Sequence, residues 1–294
     1  MNVLLTGGTG FVGQHVIRAL HDYNIHTYIL TRFPEKHDNT ERETFIGYDI
    51  SPQKLPPIHT VINLAGESLF GYWTKNKKKK IVKSRIKATE HVLHIVQQLR
   101  KKPEVFISGS AVGFYGMSEN LIFTEDTETP GDDYLANVVV KWERAASLAE
   151  ALGIRTIYAR FGVVLGNEGA LPLMSIPIRC FIGGKVGTGE QWMSWVHIED
   201  VVKMIVWCIF NRNVKGPVNV VAPNPKRNKE FTEMMANILK RPTWLAAPSP
   251  FVYFLTGEMS QLILKGQYVL PKKAMDYQFE FTYPHLEAAL KSSL

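Results

Sequence analysis

The residues with the clearest chemical purpose open the chain, in Leu4-Leu5-Thr6-Gly7-Gly8-Thr9-Gly10-Phe11-Val12-Gly13. An apolar run feeds a glycine-rich turn, and a helical pattern follows. Glycine lets a backbone turn tightly and approach a pyrophosphate with no Cβ in the way. A helix that opens after such a turn presents unpaired N–H groups and a partial positive charge to phosphate. Gly7, Thr9, Gly10, Phe11, Val12 and Gly13 are therefore candidate dinucleotide contacts, with Gly13 expected to let the helix pack close to the strand. The end of the second apolar run carries Thr31 and Arg32. A carboxylate there would take a ribose 2′-hydroxyl and favour NAD. Arg32 offers a guanidinium fork to a 2′-phosphate instead, so NADP(H) is the expected cofactor. Asp49 is a candidate for the adenine amino group. Leu64, Ala65 and Gly66 form a small-residue passage along which a cofactor can lie close to the chain.

The elements that must position these residues alternate. Strand patterns cover Asn2 to Thr6, His26 to Thr31, Thr44 to Tyr48, Thr60 to Leu64, Val105 to Gly109 and Ile154 to Arg160. Helical patterns cover Phe11 to Asp22, Lys75 to Leu99 and Tyr134 to Leu152, the last ended by Gly153. This alternation predicts an α/β fold, a Rossmann-type doubly wound parallel sheet with helices on both faces. After Gly162, Gly and Pro become frequent and strands shorten, with helices near Glu199 to Phe210 and Asn228 to Leu239 and a strand at Val218 to Val221. The expected organisation is a dinucleotide-binding domain over 1–162, a smaller mixed substrate-binding region over 163–244 and a small C-terminal unit over 245–294.

Composition is that of an ordinary globular chain. Met1 leads straight into a strand, with no leader pattern and no apolar run of membrane-spanning length, so a cytoplasmic location without a membrane partner is expected. The two cysteines, Cys180 and Cys208, sit in apolar sequence surroundings and read as buried thiols. No metal site is expected. The formal charge of +7 comes from one segment, Lys75 to Lys87, which holds eight basic residues and no acid until Glu90. No aromatic interleaving or nucleic-acid motif accompanies the run, so it reads as a solvated helix face with one or two anion-binding residues, and no nucleic-acid partner is expected.

Taken together, TGGTGFVG at Thr6–Gly13, NLAG at Asn63–Gly66, SGSAVGFYG at Ser108–Gly116 and WVHIEDVV at Trp195–Val202 resemble the extended short-chain dehydrogenase/reductase superfamily. More narrowly, WTKNKKKKIVKSRI at Trp73–Ile86, KWE at Lys141–Glu143 and the tail from Gly257 to Leu290 resemble its NAD-dependent epimerase/dehydratase-like family, which carries a C-terminal domain of unknown role. The resemblance implies that Arg85 lies against the cofactor and that the Val163 backbone meets the nicotinamide amide. It also implies a reaction in which a hydroxyl proton leaves as a hydride does, through a Tyr and a Lys four residues on, with a Ser at the exit of the fifth strand. Ser110 takes the serine position and Lys141 the lysine position. The residue four before Lys141 is Asn137, and the nearest tyrosine, Tyr134, is seven before it. The expected function is an NADP(H)-dependent oxidoreductase or epimerase acting on a small polar substrate such as a nucleotide sugar, with Ser110, Tyr134 and Lys141 as catalytic candidates. The alternative is a non-catalytic NADP(H) sensor or scaffold. A third reading is an anion-surface binder that uses the lysine run. A homodimer is left open.

Overall fold

Residue alternation in the first strand sets the layering. In β1 (Asn2–Thr6), Val3 and Leu5 face one apolar cluster and Leu4 the other. The computed structural model describes all residues, 1–294. After β1 come α1 (Phe11–Asp22), β2 (His26–Leu30), β3 (Glu43–Ile46), β4 (Thr60–Asn63), α2 (Lys75–Gln98), β5 (Val105–Ala111), β6 (Ile122–Phe123), α3 (Tyr134–Ala146) and β7 (Arg155–Phe161). The second half contributes β8 (Val163–Leu165), α4 (Ala170–Arg179), β9 (Trp192–Met193), β10 (Trp195–His197), α5 (Ile198–Phe210), β11 (Gly216–Val220), β12 (Lys226–Arg227) and α6 (Asn228–Leu239). The tail adds α7 (Ser249–Thr256), α8 (Gln261–Leu264), β13 (Tyr268–Val269), α9 (Lys272–Asp276) and α10 (Leu286–Ser293).

Seven strands form one sheet in the order β11-β7-β5-β4-β1-β2-β3, and every pairing in it is parallel. The chain reverses direction across the sheet between β1 and β4, which opens a crevice at their carboxyl ends, the place where such sheets bind ligands. On one face Val16, Ile17 and Leu20 of α1 pack with Val201, Met204 and Ile205 of α5 against Val3, Leu5 and Ile107. On the other, Val92, Leu93 and Val96 of α2 cover Leu4, Val61 and Phe106. The fold is thus the doubly wound α/β sheet that the strand–helix alternation predicts. Its last strand, β11, comes from the mixed region after 162.

Two readings change. Cys208 is buried, and burial pushes its thiol up to about 12, but Cys180 is exposed. Cys180 is the C-cap of α4, and the apolar residues that follow it, Phe181 and Ile182, are exposed as well. The 3.6-residue pattern of Tyr134 to Leu152 ends as α-helix at Ala146 and tightens to a 3₁₀ turn over Ser147–Leu152, closed by Gly153 in the left-handed conformation.

Candidate functional site

The glycine turn between β1 and α1 is pressed against the exit of β4. Gly7 has φ +75°, and a Cβ there would lie 2.7 Å from the Leu64 carbonyl carbon and 2.8 Å from the Ala65 nitrogen. Gly13 is tighter still, but its neighbour is not the strand: a Cβ would lie 2.2 Å from the Gly7 oxygen, so it lets α1 approach its own turn. Gly10 caps α1 with no side-chain acceptor, which leaves the first-turn N–H groups of Phe11, Val12 and Gly13 to other partners. The Phe11 ring itself turns away, under Gly166 and Gly169. A buried chain of hydrogen bonds holds the exits of β1 and β4 to α2. The Thr6 hydroxyl donates to Asn63 Oδ1 at 2.6 Å, Asn63 Nδ2 to Thr89 Oγ1 at 2.8 Å, and Thr89 Oγ1 to the Arg85 carbonyl at 2.8 Å. Thr9 is exposed in the turn, and its carbonyl accepts from Gln14 Nε2.

Arg32, past the end of β2, is exposed and has no acidic partner, while Thr31 Oγ1 accepts from the Phe33 N–H. Asp49 is exposed on the loop after β3, and its carboxylate folds over Gly47. Arg85 lies along Gly66, 3.3 Å from where a Cβ would stand. Its Nη1 donates to the carbonyls of Glu67 and Ile81, both at 3.0 Å, and its guanidinium stacks 5.1 Å from the Trp142 ring centroid. Burial pushes its pKa down, and Tyr134 and Glu67 act the other way.

Ser110 closes β5 and is buried. Its hydroxyl donates to Glu143 Oε1 at 2.6 Å. Arg160 of β7 clamps the same carboxylate through Nε at 2.8 Å and Nη2 at 2.9 Å, with its Cζ 3.5 Å from the Phe114 ring centroid. Arg160 is 3% exposed, and its Nη1 has no hydrogen-bond partner. The ion pair raises the arginine's pKa against the opposing effect of burial. Ser110 therefore faces any substrate as an acceptor, because its proton is held by Glu143. The expected lysine does not join it. Asn137, Lys141 and Arg144 form the solvent stripe of α3, and Lys141 makes no ion pair or hydrogen bond. The rest of the helix explains this, since Leu135, Val138, Val139 and Trp142 occupy its inward face. Tyr134, at the first turn, donates its hydroxyl to the Lys78 carbonyl at 3.0 Å and packs its ring on Trp73. Burial raises its pKa and Arg85 lowers it. The Val163 N–H donates to the Ser194 carbonyl at 2.8 Å, so that amide is not free for a nicotinamide.

Known proteins share this sequence pattern and this fold. The model of the NAD dependent epimerase/dehydratase family matches residues 3–222. The chain belongs to this family. A domain of unknown function (DUF1731) matches residues 247–293. The epimerase family protein YfhF of Bacillus subtilis is 46% identical over 293 residues, 99% of this chain and 97% of that one. The crystal structure of human epimerase family protein SDR39U1 (isoform 2) with NADPH superposes with a TM-score of 0.88 at 29% identity, covering 99% of this chain and 98% of that one. The nucleoside-diphosphate sugar epimerase of Corynebacterium glutamicum gives a TM-score of 0.81 at 28% identity, covering all of this chain but only 58% of that one.

In this family member the tail is stitched to residues 191–195, within the region expected to carry the substrate side. Gln191, Ser194 and Trp195 are buried. Gln191 Nε2 donates to the Ile263 carbonyl, and Ser194 Oγ both donates to the Gln267 carbonyl and accepts from the Val269 N–H. Trp192 stacks under the Arg227 guanidinium at 3.7 Å. Gln191 and Ser194 thus staple the tail, and with Trp195 buried as well this segment is not an open ligand loop. Asp200, wholly buried, accepts from the N–H groups of Thr282 at 2.7 Å and Tyr283 at 2.9 Å. Asn63 and Glu143 lie inside the NLAG and KWE motifs, but their roles, like those of Thr89 and Arg160, have no local signature, because each acts on a residue distant in the chain.

His197 yields a pH prediction. It is buried against Tyr283, and its Nδ1 accepts from the Glu199 N–H at the start of α5, which requires a neutral ring. Burial, aided by the charge of His15, holds its pKa down at about 4. The unfolded histidine takes a proton near the ordinary ~6.5. The contribution of this residue to stability is complete above that value and is lost as pH falls toward about 4. The expected loss is on the order of 2 kcal/mol after allowance for partial solvent screening. Denaturant titrations across this range should show that loss in the native chain and its absence in His197→Gln.

Proposed function

We propose that the chain binds NADP(H) in the β1/β4 crevice and acts as an oxidoreductase or epimerase on a small polar substrate, with a nucleotide sugar as the favoured class. The observation that carries the reading is the glycine turn packed without room for a Cβ against Leu64 and Ala65, together with the unpaired Arg32 at the neighbouring strand end. The NADPH in the human structure and the substrate class in the name of the Corynebacterium protein support it. In this reading the backbones of Gly7, Thr9, Gly10, Phe11, Val12 and Gly13 hold the pyrophosphate. Thr31 and Arg32 take the 2′-phosphate and Asp49 the adenine amino group. Leu64, Ala65 and Gly66 line the path, and Arg85 packs beside it. Residues 1–162 carry the cofactor and 163–244 the substrate side, with 245–294 docked along both.

The bound nicotinamide supplies hydride exchange. Ser110, fixed as an acceptor by Glu143, orients a substrate hydroxyl, and Tyr134 supplies a phenol from the first turn of α3. Purified protein is expected to exchange hydride between NADP(H) and a nucleotide sugar, with Ser110→Ala raising KM. Absence of isotope exchange into NADPH across a panel of nucleotide sugars, with cofactor binding intact, would leave the second reading, a non-catalytic NADP(H) sensor. That reading is favoured by one observation, the solvent position of Lys141.

A further inference from the structure

Helix α7 has the sequence SPFVYFLT, and its only buried residue is Val252. Phe251, Tyr253, Phe254 and Leu255 are exposed, Phe254 to 76%. The loop after β4 adds Phe70 and Tyr72, also exposed, and the Tyr72 hydroxyl donates to the Phe254 carbonyl. These six residues form one apolar surface, larger in character than the scattered apolar residues every protein shows. It abuts the lysine run, since Tyr72 stands in the loop just before α2 begins at Lys75, and Lys78 pairs with Glu258, just past the end of α7, at 2.5 Å. Lys75, Lys79, Lys80, Lys83 and Lys87 on the outer side of α2 are exposed and have no acidic partner. Of the acids close by, Glu67 is matched by Lys77 and Glu258 by Lys78, and Glu90, exposed at the far end of the row, stands against five unpaired lysines.

We propose that this combined surface docks the protein on an anionic lipid bilayer. Aromatic and aliphatic side chains on one short helix suit the headgroup–acyl boundary, and an adjoining row of unpaired ammonium groups suits a negatively charged leaflet. Charge complementarity selects this occupant over a second copy of the chain. A two-fold contact through this face would set each lysine row close to its own duplicate. This is attachment to one leaflet, and no helix of the protein is long and apolar enough to cross a membrane. The basic half, near 75–87, is the lysine run already read, in the third alternative, as an anion-surface binder; its apolar half, near 251–255, is not visible beside it in the sequence because the two meet only in the fold.

Sedimentation of the full chain with vesicles tests the proposal. Binding is expected to vesicles containing phosphatidylglycerol and not to pure phosphatidylcholine, and it should weaken as salt rises. Each neutralised lysine should cost about fivefold, so Lys75→Gln, Lys79→Gln and Lys80→Gln together should cost about a hundredfold. Phe251→Ser with Phe254→Ser should abolish binding. All five side chains are exposed, so melting temperatures should match the native chain, and a variant that melts earlier is replaced by Phe254→Ser alone. Equal binding to both vesicle types, no binding to either, or binding indifferent to both sets of changes overturns the proposal. A dimer in light scattering that Phe254→Ser dissolves also overturns it, by giving the face to a second copy.

Discussion

Glu143→Ala is expected to destabilise the fold by about 3–5 kcal/mol, the usual cost of removing one partner from a buried ion pair. Arg160 is 3% exposed and already has one unpartnered nitrogen, so without Glu143 it would hold a desolvated charge on the stacking of Phe114 and Tyr115 alone. Arg160→Met in the same background should recover much of the loss, because it removes the orphaned charge while keeping apolar volume. Denaturant unfolding of the native chain, the single variant and the double variant measures both effects. Equal stability of Glu143→Ala and the native chain would mean that the pair does not hold β5, β7 and α3 together. The same variant releases the Ser110 proton from Glu143, converting the hydroxyl from an obligatory acceptor into a donor.

Arg32→Ala is expected to weaken NADPH binding about ten- to a hundredfold and to leave NADH binding unchanged. A hydrogen bond to a charged group contributes about 1.5–3 kcal/mol, and the 2′-phosphate is the one group on which the two dinucleotides differ. The side chain is exposed and unpaired, so its removal should not disturb the fold. Fluorescence titration with both dinucleotides separates the outcomes. An equal loss for NADPH and NADH would assign Arg32 a general role in the loop, and no loss would remove it from the site.

The parts of this fold that were legible in the sequence are those whose cause is local. The glycine turn, the strand ahead of it and the amphipathic helix behind it are consecutive, and β1, α1, β4, α2, β5 and α6 fall within a residue or two of where periodicity puts them. The missed elements are those in which tertiary packing overrides local signals. Helix α4 contains Pro172 and Pro177 and reads as loop, yet it forms because Leu171, Ser175 and Ile178 bury one face. β8, β9 and β10 are two or three residues long and carry no period of their own.

The candidate site divides in the same way. The cofactor half is a contiguous motif. The catalytic half depends on contacts across the sheet: Ser110 meets Glu143 from 33 residues away, and Glu143 meets Arg160 from 17. Motif spacing placed Lys141 beside a tyrosine position that is empty of tyrosine, and the apolar face of α3 then turned that lysine to solvent. The buried thiol expected at Cys180 failed for a related reason. Apolar neighbours in sequence do not bury a helix cap where those neighbours, Phe181 and Ile182, are themselves exposed.

Calorimetric titration of the purified chain with NADPH and with NADH tests the central claim most directly. A single saturable site that holds NADPH more tightly than NADH is the result the glycine cradle and Arg32 predict. Heats no larger than dilution for both dinucleotides, from protein that melts cooperatively, would contradict it.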